Sequence, residues 1–288
     1  MIIWIASYQR SGNTFFRVVM HHLYGVNTYP VFHAGEELVT AGAGELVGHK
    51  ERPAVLQTAI ESGKPELIRR ALDELEASQE LFVFKTHAAA NQLFGTNYRA
   101  VLVVRDGRDA IASFANFRVD VRFEIEGLKF ALHKMSQSKA ELLNLHWWSY
   151  IAKLLIVKGA KKLGLRTWMV SRRIDQLIRG NRKHDVYLDW TKMNRSWLER
   201  EPRPVIVYFN DLIRDPIATV TGAVDKLGIA LVPSDDTPLP SFLELKNRYP
   251  NFFRKGTSGD WRNYFSPLQE ELFRSKHQEM MKRLNFPF

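Results

Sequence analysis

Met1-Ile2-Ile3-Trp4-Ile5-Ala6-Ser7-Tyr8-Gln9-Arg10-Ser11-Gly12-Asn13-Thr14 is the stretch on which the fold turns. Met1 to Ile5 is apolar without alternation, as in a short strand buried on both faces. Ser7 to Thr14 is polar and turn-rich, and it runs straight into the apolar stretch Phe15 to Tyr24, which Gly25 closes as a helix stop. The order is strand, loop, helix. Successive backbone N–H groups at the start of such a helix, together with its dipole, make an anion site. The expectation is a P-loop-like phosphate-binding loop after the first strand.

The same grammar recurs downstream. Val101-Leu102-Val103-Val104 is a second aliphatic run, ended by Arg105. Asp106-Gly107-Arg108-Asp109 supplies a turn and a helix start, with Ser113 one to two turns on, facing back toward the strand end. Arg108 and Asp109 read as a local ion pair. Leu81-Phe82-Val83-Phe84 ends in Lys85-Thr86-His87, which puts a cation and an imidazole at the carboxyl edge, where ligands bind in α/β sheets. Val205 to Tyr208 is a further strand, and Pro65 to Ser78, Asp215 to Leu227 and Pro267 to Leu284 are amphipathic helices. Strands alternating with helices predict an α/β fold: a central parallel sheet flanked by helices on both faces, in one domain spanning 1–288.

Near the end, Phe253-Arg254-Lys255-Gly256-Thr257-Ser258-Gly259-Asp260-Trp261-Arg262-Asn263-Tyr264-Phe265 gathers cations, glycines and aromatic anchors. Arg254 offers a planar fork of donors and Lys255 a point charge, while Gly256 and Gly259 let the backbone approach an anion closely. That composition suits a phosphate monoester.

Together these segments resemble the sulfotransferases that use 3′-phosphoadenosine 5′-phosphosulfate (PAPS). The family's YPKSGTTW stands at Tyr8 to Phe15, with Arg10 for its lysine; its VRNPRDxxxSxxxF matches at Arg105, Arg108, Asp109, Ser113 and Phe117; its RKG-x-x-GDW matches at Arg254 to Trp261; and its KTH is Lys85 to His87. The resemblance implies that Ser11, Gly12, Asn13, Thr14 and Phe15 form the 5′-phosphate loop, with Arg10 bridging that phosphate and the leaving sulfuryl oxygens. Arg105, Ser113, Arg254, Lys255 and Gly256 hold the 3′-phosphate, and a stretch resembling YEDLxxDP leaves an aromatic, Tyr208 or Phe209, beside adenine. His87 takes the proton of a hydroxyl acceptor and Lys85 neutralises charge on the bridging oxygen during in-line transfer, without a metal. Trp190 and Trp197 keep the spacing of W-x-x-H-V-x-x-W with Met193 in place of the histidine, and both read equally as core. Thr28 to Lys50, rich in glycine and histidine, is expected to form a loop over the acceptor side.

Composition agrees with a soluble enzyme. The 288 residues are 45% apolar and include no cysteine, so neither a disulfide nor a thiolate metal site is called for. No stretch approaches the roughly 20 apolar residues of a membrane span and the chain starts almost at once with a strand, so cytoplasmic residence is the expectation. The net charge of +10 is uneven: Lys158 to Lys183 holds nine basic residues against the one acid Asp175. It follows an amphipathic stretch, Glu141 to Val157, and reads as a basic insertion around 158–183: a solvated face, or a surface for an anionic acceptor or membrane. The acceptor class stays at a small-molecule, glycan or lipid hydroxyl, an anionic one included, with no nucleic acid partner. Arg262, Ser266, Pro267 and Glu271 keep the spacing of the family's dimer segment, which leaves a homodimer open. Two alternatives remain. A P-loop kinase or NTPase needs Gly-Lys-[Ser/Thr] and a magnesium-binding carboxylate where this chain has Gly12-Asn13-Thr14 and cationic strand ends. A non-catalytic polyanion-binding module would centre salt-sensitive binding on Lys158 to Lys183.

Overall fold

The computed structural model describes residues 1–31, 42–90, 98–121, 165–180, 189–234, 239–250, 252–253 and 255–288. Among the described residues five strands form one sheet, β1 (Ile2–Ser7), β2 (Thr28–Pro30), β3 (Phe82–Thr86), β4 (Arg99–Val104) and β5 (Val205–Tyr208), in the order β2-β3-β1-β4-β5. Every pairing is parallel, with Ile5 opposite Lys85 on one side and Val101 on the other. The α/β expectation holds. Parallel pairing is why the apolar runs lack alternation: all six residues of β1 are buried, Trp4 and Ala6 in a core on one face and Ile3 and Ile5 in a core on the other.

Helices cover both faces. The Ile3/Ile5 side is packed by α1 (Asn13–Tyr24), through Phe16 and Val19, and by a helix at Pro216–Leu227, through Val220 and Val224. On the other side lie α2 (Ala54–Glu61) and α3 (Pro65–Ala77), then α4 (Gly107–Val121), α5 (Arg166–Arg179), α6 (Trp190–Leu198) and the later helix Pro267–Arg283. Between α6 and that last helix the chain runs through α7 (Phe209–Arg214), α8 (the Pro216–Leu227 helix) and α9 (Phe242–Arg248), which makes Pro267–Arg283 α10. Trp190 and Trp197 are fully buried, so the core reading of both is right.

Two expectations need correction or division. Thr28 to Lys50 is not simply a loop: Thr28–Pro30 is an edge strand on β3, and Glu45–Val47 is a 3₁₀ turn; residues 32–41 lie outside the described set. Thr28, fully buried, accepts hydrogen bonds from the Arg17 guanidinium and donates to the Val47 carbonyl, and the Tyr29 ring packs against Phe82 and Phe84. Of the basic segment, 165–180 is described and the remainder, like Glu141 to Val157, is not. Its described part is α5, which buries Val170, Ile174 and Ile178 while Arg166 pairs with Asp120 and Arg172 lies 5.4 Å from the Trp168 ring.

His277 joins α5, α6 and α10. It is 2% exposed; Nε2 lies 3.2 Å from the Ile178 carbonyl and Nδ1 2.8 Å from the Thr191 hydroxyl. A carbonyl only accepts, so Nε2 carries the proton and Nδ1 accepts from Thr191. Burial lowers its pKa to about 4. The imidazole is therefore neutral in the fold and charges more readily once unfolded, so its contribution is complete above the ordinary histidine pKa near 6.5 and is lost as pH falls toward 4. We expect the urea midpoint to drop between pH 7.5 and 4.5 by the equivalent of about 2 to 3 kcal/mol, and His277→Gln to flatten that limb. An unchanged pH profile in the variant would exclude His277 as its source.

Candidate active site

The loop between β1 and α1 is a tight cradle. Gly12 has φ +107°, and a Cβ there would lie 2.7 Å from the Phe209 ring, so only glycine fits. Arg10 is also left-handed, at φ 62°, an arrangement that costs a non-glycine residue about 1 kcal/mol. Its side chain offsets that cost by donating from Nη2 to the Phe252 carbonyl at 2.7 Å and by lying over the Phe117 ring at 4.7 Å. Asn13 is buried and donates its amide to the Ile5 carbonyl at 3.0 Å, lashing the helix start to the central strand. Phe15 is packed edge-on against Phe242 and Phe253, and Thr14 is half-exposed. Ser11 is 1% exposed, and its hydroxyl has no hydrogen-bond partner among the described residues.

The cations of distant segments meet here. Arg105, at the end of β4, donates from Nη1 to the Arg10 carbonyl at 3.1 Å and from Nη2 to the Thr257 carbonyl at 2.9 Å, with its guanidinium 4.2 Å above the Phe209 ring. One side chain thus bolts the first loop to the C-terminal loop. Ser113 Oγ lies 3.5 Å from Arg10 Nε. Phe209 is 5% exposed, a floor between Gly12 and Arg105. Gly256 has φ +66° against the Phe242 ring, and Lys255 is in an ion pair with Asp260 at 2.6 Å. Arg254 lies outside the described residues.

The expected Arg108–Asp109 pair is not there. Arg108 instead takes Asp106 at 2.6 Å and lies 4.4 Å from the Trp261 ring. Asp109 turns the other way, accepting from the backbone N–H of Gly259 at 2.7 Å and of Trp261 at 3.0 Å. Successive residues on a helix point about 100° apart, which is why neighbours in sequence are not partners in space.

At the neighbouring strand end, His87 is half-buried with Nδ1 2.8 Å from the Ser7 carbonyl and 3.3 Å from the Ser7 hydroxyl. The carbonyl accepts, so Nδ1 carries the proton and Nε2 is the ring's acceptor. Lys85 is half-buried, two residues earlier on β3 and in register with Ile5 and Pro30.

The family model described as "Sulfotransferase domain" matches residues 2–285. The chain belongs to the sulfotransferase family. Among sulfotransferases of known sequence it is 29% identical over 152 residues to sulfotransferase 2A6 of Mus musculus, covering 46% of this chain and 49% of that protein. It is 32% identical over 116 residues to 3-alpha-hydroxysteroid sulfotransferase of Cavia porcellus, covering 33% of this chain and 40% of that protein. The matching stretches therefore span about half or less of those curated relatives. Among solved structures, mouse sulfotransferase SULT7A1 complexed with PAP aligns over 99% of this chain and 88% of that one, at TM-score 0.53 and 16% identity, which establishes likeness of fold.

Several features of the cradle carry no sequence signature. Carbonyl acceptors at Phe252 and Thr257 anchor Arg10 and Arg105, and the Ser258 hydroxyl donates to the Asn210 side chain, which stands in for a family glutamate. The helix α9 that walls Gly256 went unread in the sequence, although Ser241 and Glu244, which form a capping box at its start, are a signal that could have found it. The chemistry of the donor set fits a phosphorylated ligand such as PAP: the buried Ser11 hydroxyl, without a partner among the described residues, and the neighbouring Arg10 and Arg105 guanidinium groups all favour anionic oxygen.

Proposed function

We propose that the protein transfers a sulfuryl group from PAPS to a hydroxyl acceptor, with His87 as base. The observation that carries this reading is Arg105, whose one guanidinium joins the loop after β1 to the loop after α9 beside Ser113 and Arg10. Ser11 to Phe15 and Arg10 would hold the 5′-phosphate; Arg105, Ser113, Lys255 and Gly256, with Arg254, would hold the 3′-phosphate. Phe209 supports the cradle from below, and a contact with adenine would use its remaining edge. PAPS, when bound, supplies the activated sulfuryl group and leaves as adenosine 3′,5′-bisphosphate (PAP).

The chain's own residues then have distinct tasks. His87, pinned through Nδ1–H to Ser7, presents Nε2 to take the acceptor's proton. Lys85 and Arg10 neutralise charge on the departing oxygens, which is electrostatic stabilisation and positioning. Arg10 is always charged, so it acts without giving up a proton. Among the described residues no helix is long and apolar enough to cross a membrane. A small-molecule, glycan or lipid hydroxyl is the acceptor class we carry forward.

Thermal denaturation with PAP, 5′-AMP and magnesium ATP tests the donor half of this reading. Saturation at 100 times Kd stabilises by about 2.7 kcal/mol, roughly 4 to 5 °C in Tm at this chain length. We expect PAP to reach that shift at a lower concentration than 5′-AMP and without magnesium. Stronger stabilisation by magnesium ATP would favour a kinase-like site instead. Sulfur-labelled PAPS offered with phenol, sterol and glycan acceptors tests the other half.

A further inference from the structure

We propose that Asp109 is a positioning residue that sets the 255–259 loop against the cofactor's 3′-phosphate, an inference that rests on the reading of the site above. Asp109 sits in the first turn of α4, four residues before Ser113 and four after Arg105. It is 2% exposed, and its two oxygens are shared between two backbone donors about 150 positions away: Oδ2 accepts from Gly259 and Oδ1 from Trp261. Burial raises the pKa of this carboxyl, opposed by the Arg105 charge and by the two N–H bonds. A buried carboxylate persists only where donors compensate it, and here the donors belong to the loop rather than to α4.

The geometry has a consequence for ligand binding. Two N–H groups two residues apart, held by one carboxylate, leave a single orientation for the chain at Gly259, which is itself left-handed at φ +84°. The residues immediately before it, Lys255 to Ser258, are mostly exposed, with Gly256 set against the Phe242 ring. Among the described residues they are tied by hydrogen bonds or ion pairs from Thr257 to Arg105, Ser258 to Asn210 and Lys255 to Asp260. Asp109 is the tie that comes from the same helix as Ser113, so α4 delivers a hydroxyl and, through the loop, the opposing backbone to one place. Arg108 pairs with Asp106 and the Pro287 carbonyl and lies 4.4 Å from the Trp261 ring, so it meets the end of this loop through the indole rather than through a backbone N–H.

A merely structural carboxylate would affect every ligand alike; a positioning one affects the 3′-phosphate. The test is Asp109→Asn, which matches the carboxylate in shape but can accept at Oδ1 only and turns an NH₂ toward the second N–H. Calorimetric affinities for PAP and 5′-AMP are compared in wild type and variant, with hydrogen exchange across the chain. We expect PAP affinity to fall about tenfold or more with 5′-AMP within about twofold, and the Gly259 and Trp261 amides to exchange at least about tenfold faster while Gly12 to Phe16 do not change. Unchanged PAP affinity in the folded variant overturns the proposal, as does an equal loss for both nucleotides. A wild-type protein that binds 5′-AMP as tightly as PAP overturns the bisphosphate reading itself, and the 3′-phosphate role falls with it. Should the Asn variant fail to fold, Asp109→Glu keeps the charge while displacing it by one methylene. The same selective loss for PAP is then expected, and its absence is decisive against the proposal.

Discussion

His87→Asn is expected to lower turnover by about 10² to 10⁴ while leaving the affinity for PAP within about twofold of wild type. Asparagine is the informative replacement because its Nδ2–H still donates to the Ser7 carbonyl, as Nδ1–H does at 2.8 Å, so the strand end keeps its tie. What disappears is the ring's second nitrogen. The imidazole is held by the first residue before the phosphate loop, so its orientation is referenced to the same β1 end that positions Arg10. A base fixed in this way contributes to the chemical step and little to ground-state binding. Rapid-mix assays with labelled PAPS, alongside calorimetry with PAP, separate the two. Turnover within about threefold of wild type would remove His87 from the chemistry, and weakened PAP binding with normal turnover would make it a part of the cradle.

Strand ends were legible where side chains carry the signal. Val101 to Val104 and Leu81 to Phe84 announce strands buried on both faces because helices on each side leave no solvent face to demand polarity. Parallel order then brings Ser7, His87, Arg105 and Phe209 to one edge, since each directly follows or ends a strand. Where the backbone carries the signal, the sequence is silent. Arg105 is anchored by the carbonyls of Arg10 and Thr257, and any residue could have supplied them. The strand Thr28–Pro30 escaped because three residues show no period, and its stability comes from the buried Thr28–Arg17 contacts and from Tyr29 on the Phe82 and Phe84 rings. α2 was missed for a related reason: its apolar Leu56 and Ala59 fill barely two turns. Asp109 was misread because adjacency to Arg108 looks like a pair on paper, whereas the helix sends the two side chains to different neighbours.

Arg105→Ala should weaken PAP binding about a hundredfold, and Arg105→Lys should restore less than about a tenth of that loss. The guanidinium does three things at once. It donates to the Arg10 carbonyl, donates to the Thr257 carbonyl, and lies over the Phe209 ring at 4.2 Å, which in turn abuts Gly12. Removing the guanidinium strips two part-buried carbonyls of their donor at about 1 to 3 kcal/mol each, and about 2.7 kcal/mol is the hundredfold stated. A lysine brings one nitrogen and no planar face, so it could serve one carbonyl while leaving the other without this donor. The loss should be shared by PAP and 5′-AMP, because the loop after β1 loosens together with the C-terminal loop. That shared loss sets Arg105 apart from Asp109, whose replacement should spare 5′-AMP. Calorimetry with both nucleotides on both variants therefore decides how the cradle is built: one keystone joining two loops, or two loops that hold their shape independently. Independence would appear as near wild-type 5′-AMP affinity in Arg105→Ala, and the bridging role of this guanidinium would then be lost.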